Sequence, residues 1–399
     1  MVFCSMKRWK SRFFIALFMM SIILSFESTA FAQTESVPLE LTSPSAVLME
    51  ASTGEIIFEK NPDEVRSPAS ITKIMTLLLI FDAIKDGKIH LEDEVCTSAY
   101  AKSMGGSQVF LEEGEIQTVD TLMKCIAVAS GNDASVAMAE HVGGTEEAFV
   151  AKMNEKASEL GMNHTHFVDC CGLSSSKDHY TTARDVAIMS RALITTYPEI
   201  YNYSRIWMED ITHVTKQGTK PFTLSSTNKL LKQYKWTTGL KTGSTSVAKY
   251  CLSATANKNG IDLIAVVMGA PDFKIRFSEA KKMLEYGYSL VKMFQDEEAL
   301  QIAELPVLQG KSETVSVDRE KAFSYLDTKG MDFTKISKKE IFEEKIVAPI
   351  EQNQKVGTIQ YFYENQCIGE VPIIAKEAVE KATYIDYLKK IWMTFLFTI

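Results

Sequence analysis

Ser70-Ile71-Thr72-Lys73 sets a hydroxyl and an amine three residues apart. On a helix that spacing puts both side chains on one face, within hydrogen-bonding reach. Acyl transfer needs such a pair, together with a proton route to the leaving group and donors for the developing oxyanion. Lys73 precedes the apolar run Ile74–Ile80, and burial there disfavours the ammonium form, as a lysine base at neutral pH requires. Ser70 near a helix N-terminus has the positive end of the dipole beside it. The spacing alone says little, because it recurs at Ser174/Lys177, Ser226/Lys229, Ser246/Lys249, Ser278/Lys281 and Ser289/Lys292. Ser70 is set apart by Ser130-Gly131-Asn132 and Lys241-Thr242-Gly243, which each occur once and follow it in that order. The chain has no GxSxG elbow and no HExxH. His164 and His166 lack a carboxylate or third ligand at useful spacing and are expected at the surface. Neither a metal nor a cofactor is expected.

The elements that would position these residues follow from pattern. Ala46–Glu50 and Glu55–Lys60 flank Ser52-Thr53-Gly54 and form a hairpin. A helix is expected from Ser70 to Lys85, buried because it is apolar all round. Further helices are expected at 119–129, 134–142, 146–160 (stopped by Gly161), 182–193 and from Phe277 to about Phe294. Strands at 249–256 and 261–269 flank Asn257-Lys258-Asn259-Gly260, a hairpin turn. After Asp296-Glu297-Glu298, short strands such as 314–317, 345–348 and 358–363 indicate a small β domain over 300–375. In 376–399, Val379, Ile385, Leu388, Trp392, Phe395 and Leu396 recur at helical spacing. That stretch is an amphipathic helix for a membrane surface, with packing onto the β domain as the alternative.

The N-terminus carries Lys7, Arg8, Lys10 and Arg12, then an apolar run from Phe13 to Phe26, then Ala30-Phe31-Ala32. This is the pattern of an export signal over residues 1–32, with cleavage after Ala32. Its removal takes away four basic residues and Glu27 and moves the formal charge from −8 to −11. So acidic a chain, without a basic stripe, argues against a nucleic-acid partner. The mature length favours two domains, with 33–295 as the first. Cys96, Cys125, Cys170, Cys171, Cys251 and Cys367 lack zinc or thioredoxin spacing and read as scattered, largely buried thiols. One disulfide of undetermined pairing remains open.

Ser-x-x-Lys, Ser-x-Asn and Lys-Thr-Gly in this order mark the active-serine penicillin-recognising enzymes. Pro68-Ala69-Ser70-Ile71-Thr72-Lys73, Gly105-Gly106-Ser107, Ser130-Gly131-Asn132-Asp133 and Gly239-Leu240-Lys241-Thr242-Gly243 resemble the pattern of the low-molecular-mass penicillin-binding proteins, serine D-alanyl-D-alanine carboxypeptidases. The resemblance implies an α/β catalytic domain, an antiparallel sheet flanked by helices, beside the all-β domain and terminal helix. It implies a location at the outer face of the cytoplasmic membrane, peptidoglycan stem peptides as substrate and β-lactams as inhibitors. By the same resemblance Ser70 is the nucleophile, Lys73 its base and Ser130 the proton relay. Asn132 binds the substrate's peptide carbonyl, Lys241 and Thr242 its terminal carboxylate, and the N–H groups of Ser70 and of Ser244, after Gly243, the oxyanion. Two places depart from the pattern. Asp169-Cys170-Cys171-Gly172-Leu173 stands where Asn-Pro is usual before Gly-Leu, and Lys249 stands where glycine is frequent. A D,D-endopeptidase, a β-lactamase and a non-catalytic penicillin sensor use the same scaffold. Against the β-lactamase, Glu140, Glu146, Glu147, Glu155, Glu159, Glu199 and Glu209 lie in no recognisable deacylation loop, and the first five read as solvated helix positions.

Overall fold

The computed structural model describes residues 39–397 apart from 216, 217 and 329, with the side chains of 394–397 also undescribed. The expected export signal lies outside the described residues. Strands β1 (Ser45–Glu50) and β2 (Ile56–Lys60) form the first hairpin, closed by Gly54 at φ +78°. A 3-10 turn, Ala69–Thr72, leads into α1 (Lys73–Lys85), so the expected single helix begins with a tighter turn. Residues three apart eclipse one another in 3-10 geometry, which aligns Ser70 with Lys73 more closely than an α-helix would. Helix α1 is buried from Lys73 to Phe81, as its all-round apolarity requires.

Two short strands, β3 (Glu94–Cys96) and β4 (Ile116–Thr118), precede α2 (Val119–Ala127), α3 (Asn132–Gly143) and α4 (Glu146–Glu159). Helix α5 (Ala183–Thr196) starts at the cap Thr182, whose hydroxyl accepts from the Asp185 N–H. A long hairpin, β5 (Met208–Thr215) and β6 (Gly218–Ser225), then leads to β7 (Thr237–Thr245), β8 (Lys249–Lys258) and β9 (Ile261–Ala270). The main sheet has the order β2-β1-β9-β8-β7 and is antiparallel throughout. Strand β9 is nearly all apolar because helices cover both of its faces: α5 lies on one, and α6 (Phe273–Leu290) on the other. Strand β7 forms one edge of this sheet.

The pattern places the end of α6 about four residues too late. The helix stops at Leu290, and β10 (Lys292–Gln295) pairs with β13 (Ser324–Asp327). Met293 and Phe294 are half-buried in this strand pair and belong to the β unit. That unit also contains β11 (Glu304–Leu308), β12 (Thr314–Arg319), β14 (Ile336–Phe342), β15 (Ile346–Val347), β16 (Lys355–Tyr363) and β17 (Gln366–Ala375). Its six-stranded sheet has the order β14-β16-β17-β12-β11-β15. The expected strand at 345–348 shrinks to two residues.

The terminal helix α7 runs over Tyr384–Phe397 and does not start at 376. Residues 376–383 instead run along the β domain through bridges at Val379 and Lys381. Val379 is buried in that domain's core and is not part of an amphipathic helical face. Ile385, Leu388, Ile391 and Trp392 are exposed, whereas Asp386, Lys389, Lys390 and Met393 line a cavity of about 330 Å³ with Gly310 and Lys311 of the β domain. The side of α7 that leans on the β domain thus carries its charged residues, while those four apolar residues stay exposed. No helix among the described residues is long and apolar enough to cross a membrane.

Candidate active site

The candidate site lies between the edge strand β7, the 3-10 turn and the start of α3. Gly243 makes the approach possible: a Cβ there would stand 2.9 Å from the Pro68 carbonyl and 3.1 Å from the Ile71 nitrogen. Ser70 thereby comes against the strand that carries Lys241 and Thr242. Two residues hold unusual backbone for non-glycines, Ala69 at φ +48° and Ser130 at φ +64°. Such strain persists where surrounding contacts enforce it, often at functional sites.

Lys73 is fully buried and its Nζ donates to three neutral acceptors: Ser70 Oγ at 3.1 Å, Asn132 Oδ1 at 2.6 Å and the Cys171 carbonyl at 2.7 Å. Asn132 is held in turn, its Nδ2 donating to the Gly105 carbonyl at 2.7 Å and its N–H to the Ser107 carbonyl at 2.8 Å. Lys241, 1 % exposed, donates to Ser130 Oγ at 2.8 Å and to the Thr242 carbonyl at 3.0 Å. Thr242 donates to Thr227 Oγ1 at 2.7 Å, and Ser244 is exposed at the rim. All eight residues expected from the sequence thus fall in this region, five of them in two linked clusters. Ser70, Lys73 and Asn132 form one, and Ser130 and Lys241 the other, joined by the contact of Gly243 with the turn.

Burial lowers the pKa of Lys73 below the ordinary lysine range, although Cys171, Cys170, Asp169 and Asp133 oppose the shift. Burial also pushes Lys241 well below that range, helped by the positive charges of Lys73 and Arg276. The five other Ser-x-x-Lys pairs separate here by burial, since Lys177, Lys229, Lys249, Lys281 and Lys292 are exposed or partly exposed. His164 and His166 are both exposed, the latter bonded through Nδ1 to the Asp178 carbonyl at 2.7 Å.

Several supporting residues carry no signal in the sequence. The Val168 N–H donates to His179 Nδ1 at 3.1 Å, which fixes the ring proton on Nε2. That Nε2–H donates to Thr72 Oγ1 at 2.8 Å, and the Thr72 hydroxyl donates to the Ala69 carbonyl at 2.8 Å. The chain ends on the strained residue next to Ser70. Burial lowers the His179 pKa, in keeping with this neutral tautomer. Asp169 gathers the N–H groups of Cys171, Gly172 and Ser174. Burial would raise its pKa, but His179 and these donors hold it below the usual value. Gly172 can only be glycine, because a Cβ would meet the Ala69 carbonyl at 1.8 Å. Glu146 corrects the expectation of solvated glutamates. It is 9 % exposed and accepts from the Cys170 N–H at 3.0 Å and the Tyr100 hydroxyl at 2.8 Å, bracing the loop behind Lys73. Arg276 on α6 is buried beneath β7 and donates to the Gly243 carbonyl at 3.1 Å. The six described cysteines are free thiols, four of them buried.

Two Ser–Lys pairs thus meet at one edge strand, Ser70 with Lys73 beside it and Ser130 with Lys241 of the strand itself. Residues 31–272 match the family model described as D-alanyl-D-alanine carboxypeptidase, and residues 288–381 the one described as penicillin-binding protein 5, C-terminal domain. The chain belongs to the D-alanyl-D-alanine carboxypeptidase family. It is 41 % identical over 389 residues to the D-alanyl-D-alanine carboxypeptidase DacF of Bacillus subtilis, covering 96 % of this chain and 98 % of that one. It is 32 % identical over 387 residues to the carboxypeptidase DacC of Escherichia coli, covering 93 % and 92 %. Among solved structures, penicillin-binding protein 5 of Haemophilus influenzae superposes with a TM-score of 0.64 at 31 % identity, over 86 % of this chain and 99 % of that one.

Proposed function

We propose that this protein removes the terminal D-alanine from peptidoglycan stem pentapeptides through an acyl-enzyme on Ser70. The observation that carries the reading is the Lys73 amine, fully buried, 3.1 Å from Ser70 Oγ and bonded only to neutral acceptors. An amine so placed is biased toward its neutral form and can accept the serine proton. Ser70 Oγ attacks the carbonyl carbon between the two D-alanines, and the N–H groups of Ser70 and Ser244 receive the oxyanion. The tetrahedral intermediate collapses as Ser130, bonded to Lys241, relays to the departing amine the proton that Lys73 took from Ser70, which leaves Lys73 neutral again. Lys241 and Thr242 hold the terminal carboxylate by charge-assisted bonds, which accounts for a preference for free C-termini. Arg276 adds positive potential beneath that strand. Water then hydrolyses the ester on Ser70, with Lys73 again taking the proton.

Penicillin would acylate the same serine, but its opened ring stays tethered and blocks the path that D-alanine vacates. Export through residues 1–32 and attachment to the outer face of the cytoplasmic membrane through α7 complete the reading, supported by the bare apolar side of that helix. Intact-protein mass spectrometry with penicillin, and release of D-alanine from a stem pentapeptide, test the chemistry. Ser70→Ala is expected to lose both signals. A persistent adduct on that variant would move the nucleophile elsewhere, and rapid return of the wild type to its free mass would favour a β-lactamase.

A further inference from the structure

Lys249 opens β8 directly across from Thr245, and it adopts φ +57°. The turn between them is fixed by the Thr245 hydroxyl, which accepts from the Ala248 N–H at 2.9 Å. A residue that closes such a turn in the left-handed region is ordinarily glycine, since any Cβ adds strain. The lysine gains no packing in return: it is exposed, and among the described residues its amine takes part in no hydrogen bond, ion pair or ring contact. A lysine needed only for solubility would carry no such strain at an ordinary surface position.

The position of this cation relative to the substrate follows from the strand register. If the scissile carbonyl accepts from the Ser244 N–H, the penultimate D-alanine pairs with Ser244 on the free edge of β7. The terminal D-alanine then lies by Gly243, with its carboxylate at Thr242 and Lys241. The residue before the two D-alanines pairs with Thr245. Directly opposed residues of an antiparallel ladder share a face, so that third residue, Thr245 and Lys249 form one row across the sheet. Two strand spacings, about 10 Å, separate the ends of the row. A lysine and a long substrate side chain can span that distance over Thr245.

We propose that Lys249 selects stem peptides whose third residue bears a free side-chain carboxylate, a diamino dicarboxylic acid rather than lysine. This rests on the function proposed above. The test compares kcat/KM for two soluble pentapeptides that differ only at the third residue, one carrying the carboxylated diamino acid and the other lysine. The wild type is expected to favour the carboxylated peptide by about three- to fivefold, the upper part of the range for one solvent-exposed ion pair, and the ratio should shrink as salt rises. Lys249→Gly and Lys249→Gln should bring the ratio to about one, mainly through KM, while Lys249→Arg keeps it. Lys249→Gly also relieves the backbone strain, so a folding defect cannot mimic the result. An unchanged ratio in the glycine and glutamine variants, or a wild-type ratio near one, overturns the proposal. Failure of the wild type to release D-alanine from either peptide overturns the underlying function instead.

Discussion

Two regions of this molecule bury charge, and they do so in opposite ways. In the β unit, Asp296 is 5 % exposed and accepts from Tyr361 Oη at 2.6 Å, with Lys338 at 3.1 Å and Arg319 at 3.5 Å. Burial alone would raise its pKa, but Tyr361 and Lys338 outweigh burial and keep it below the ordinary value. In the cleft, Lys73 and Lys241 are more deeply buried, and neither has a carboxylate within ion-pair distance among the described residues. Their pKa values fall because desolvation wins: at Lys73 it exceeds the opposing effect of Cys171, Cys170, Asp169 and Asp133, and at Lys241 the positive charges of Lys73 and Arg276 add to it. A buried charge that serves architecture is matched, whereas one that serves chemistry is left open to the substrate.

The contrast can be broken in steps of decreasing size. Lys73→Arg keeps a cation in the cleft but cannot give up its proton. Because the neutral amine of Lys73 is the proposed base, this variant is expected to lose about 10²–10⁴-fold in acylation rate, the range for one general base. Retained acylation by penicillin would mean that the amine acts only through its charge. Lys241→Met should lose substrate binding and gain stability, by about 1–4 kcal/mol if it follows other buried charges replaced by apolar groups. The pH dependence has a definite sign. The folded protein releases the Lys241 proton below the ordinary lysine range, while the unfolded chain keeps it until that range. Between the two pKa values the unfolded state binds more protons, so wild-type stability rises with pH and falls on acidification through that window. Denaturant titrations at several alkaline pH values should show a flatter slope for Lys241→Met, and an unaltered slope would mean that Lys241 is not depressed.

Asp296→Asn removes the matched charge and should cost about 1–3 kcal/mol, because Lys338 loses its ion pair and one acceptor oxygen shared with Tyr361 or the Glu298 N–H is replaced by an NH₂ donor. D-alanine release at ambient temperature should be unaffected, and a kinetic defect would tie the β unit to the cleft. Deleting Tyr384–Ile399 should alter turnover of a soluble peptide least, within about twofold, while abolishing sedimentation with anionic vesicles. Vesicle binding that survives the deletion would place the attachment on another surface.

The sequence made the cleft legible where chemistry restricts residue types. Ser70, Lys73, Ser130, Asn132, Lys241 and Thr242 could be picked out because three short patterns had to coincide, although each alone is common. The bracing around them was not legible. His179, Asp169 and Glu146 act through backbone groups more than twenty residues away in some cases, and such partnerships leave no local spacing. The fold shows the same division. Apolar runs and Asn-Gly turns marked α1 and the β8–β9 hairpin, whereas the end of α6 and the start of α7 were misplaced. Met293, Phe294 and Val379 are apolar at positions that suit a helix, and tertiary packing assigns them to the β unit instead.

Strand β7 ends its sheet with one side unpaired. An open edge is normally a hazard, because any extended chain can add to it and aggregation follows. Here the 3-10 turn at Ala69–Thr72 packs against β7 at Gly243, and the buried Lys241 stands on the same strand. On the proposed function, a peptide that pairs with this edge places a free carboxyl end at Lys241. The loop of a folded protein, or the strand of a second copy, has no such end to offer. On that reading the hazard becomes a filter for chain termini, because the buried lysine that would orient the substrate carboxylate also closes the edge to chains that lack one.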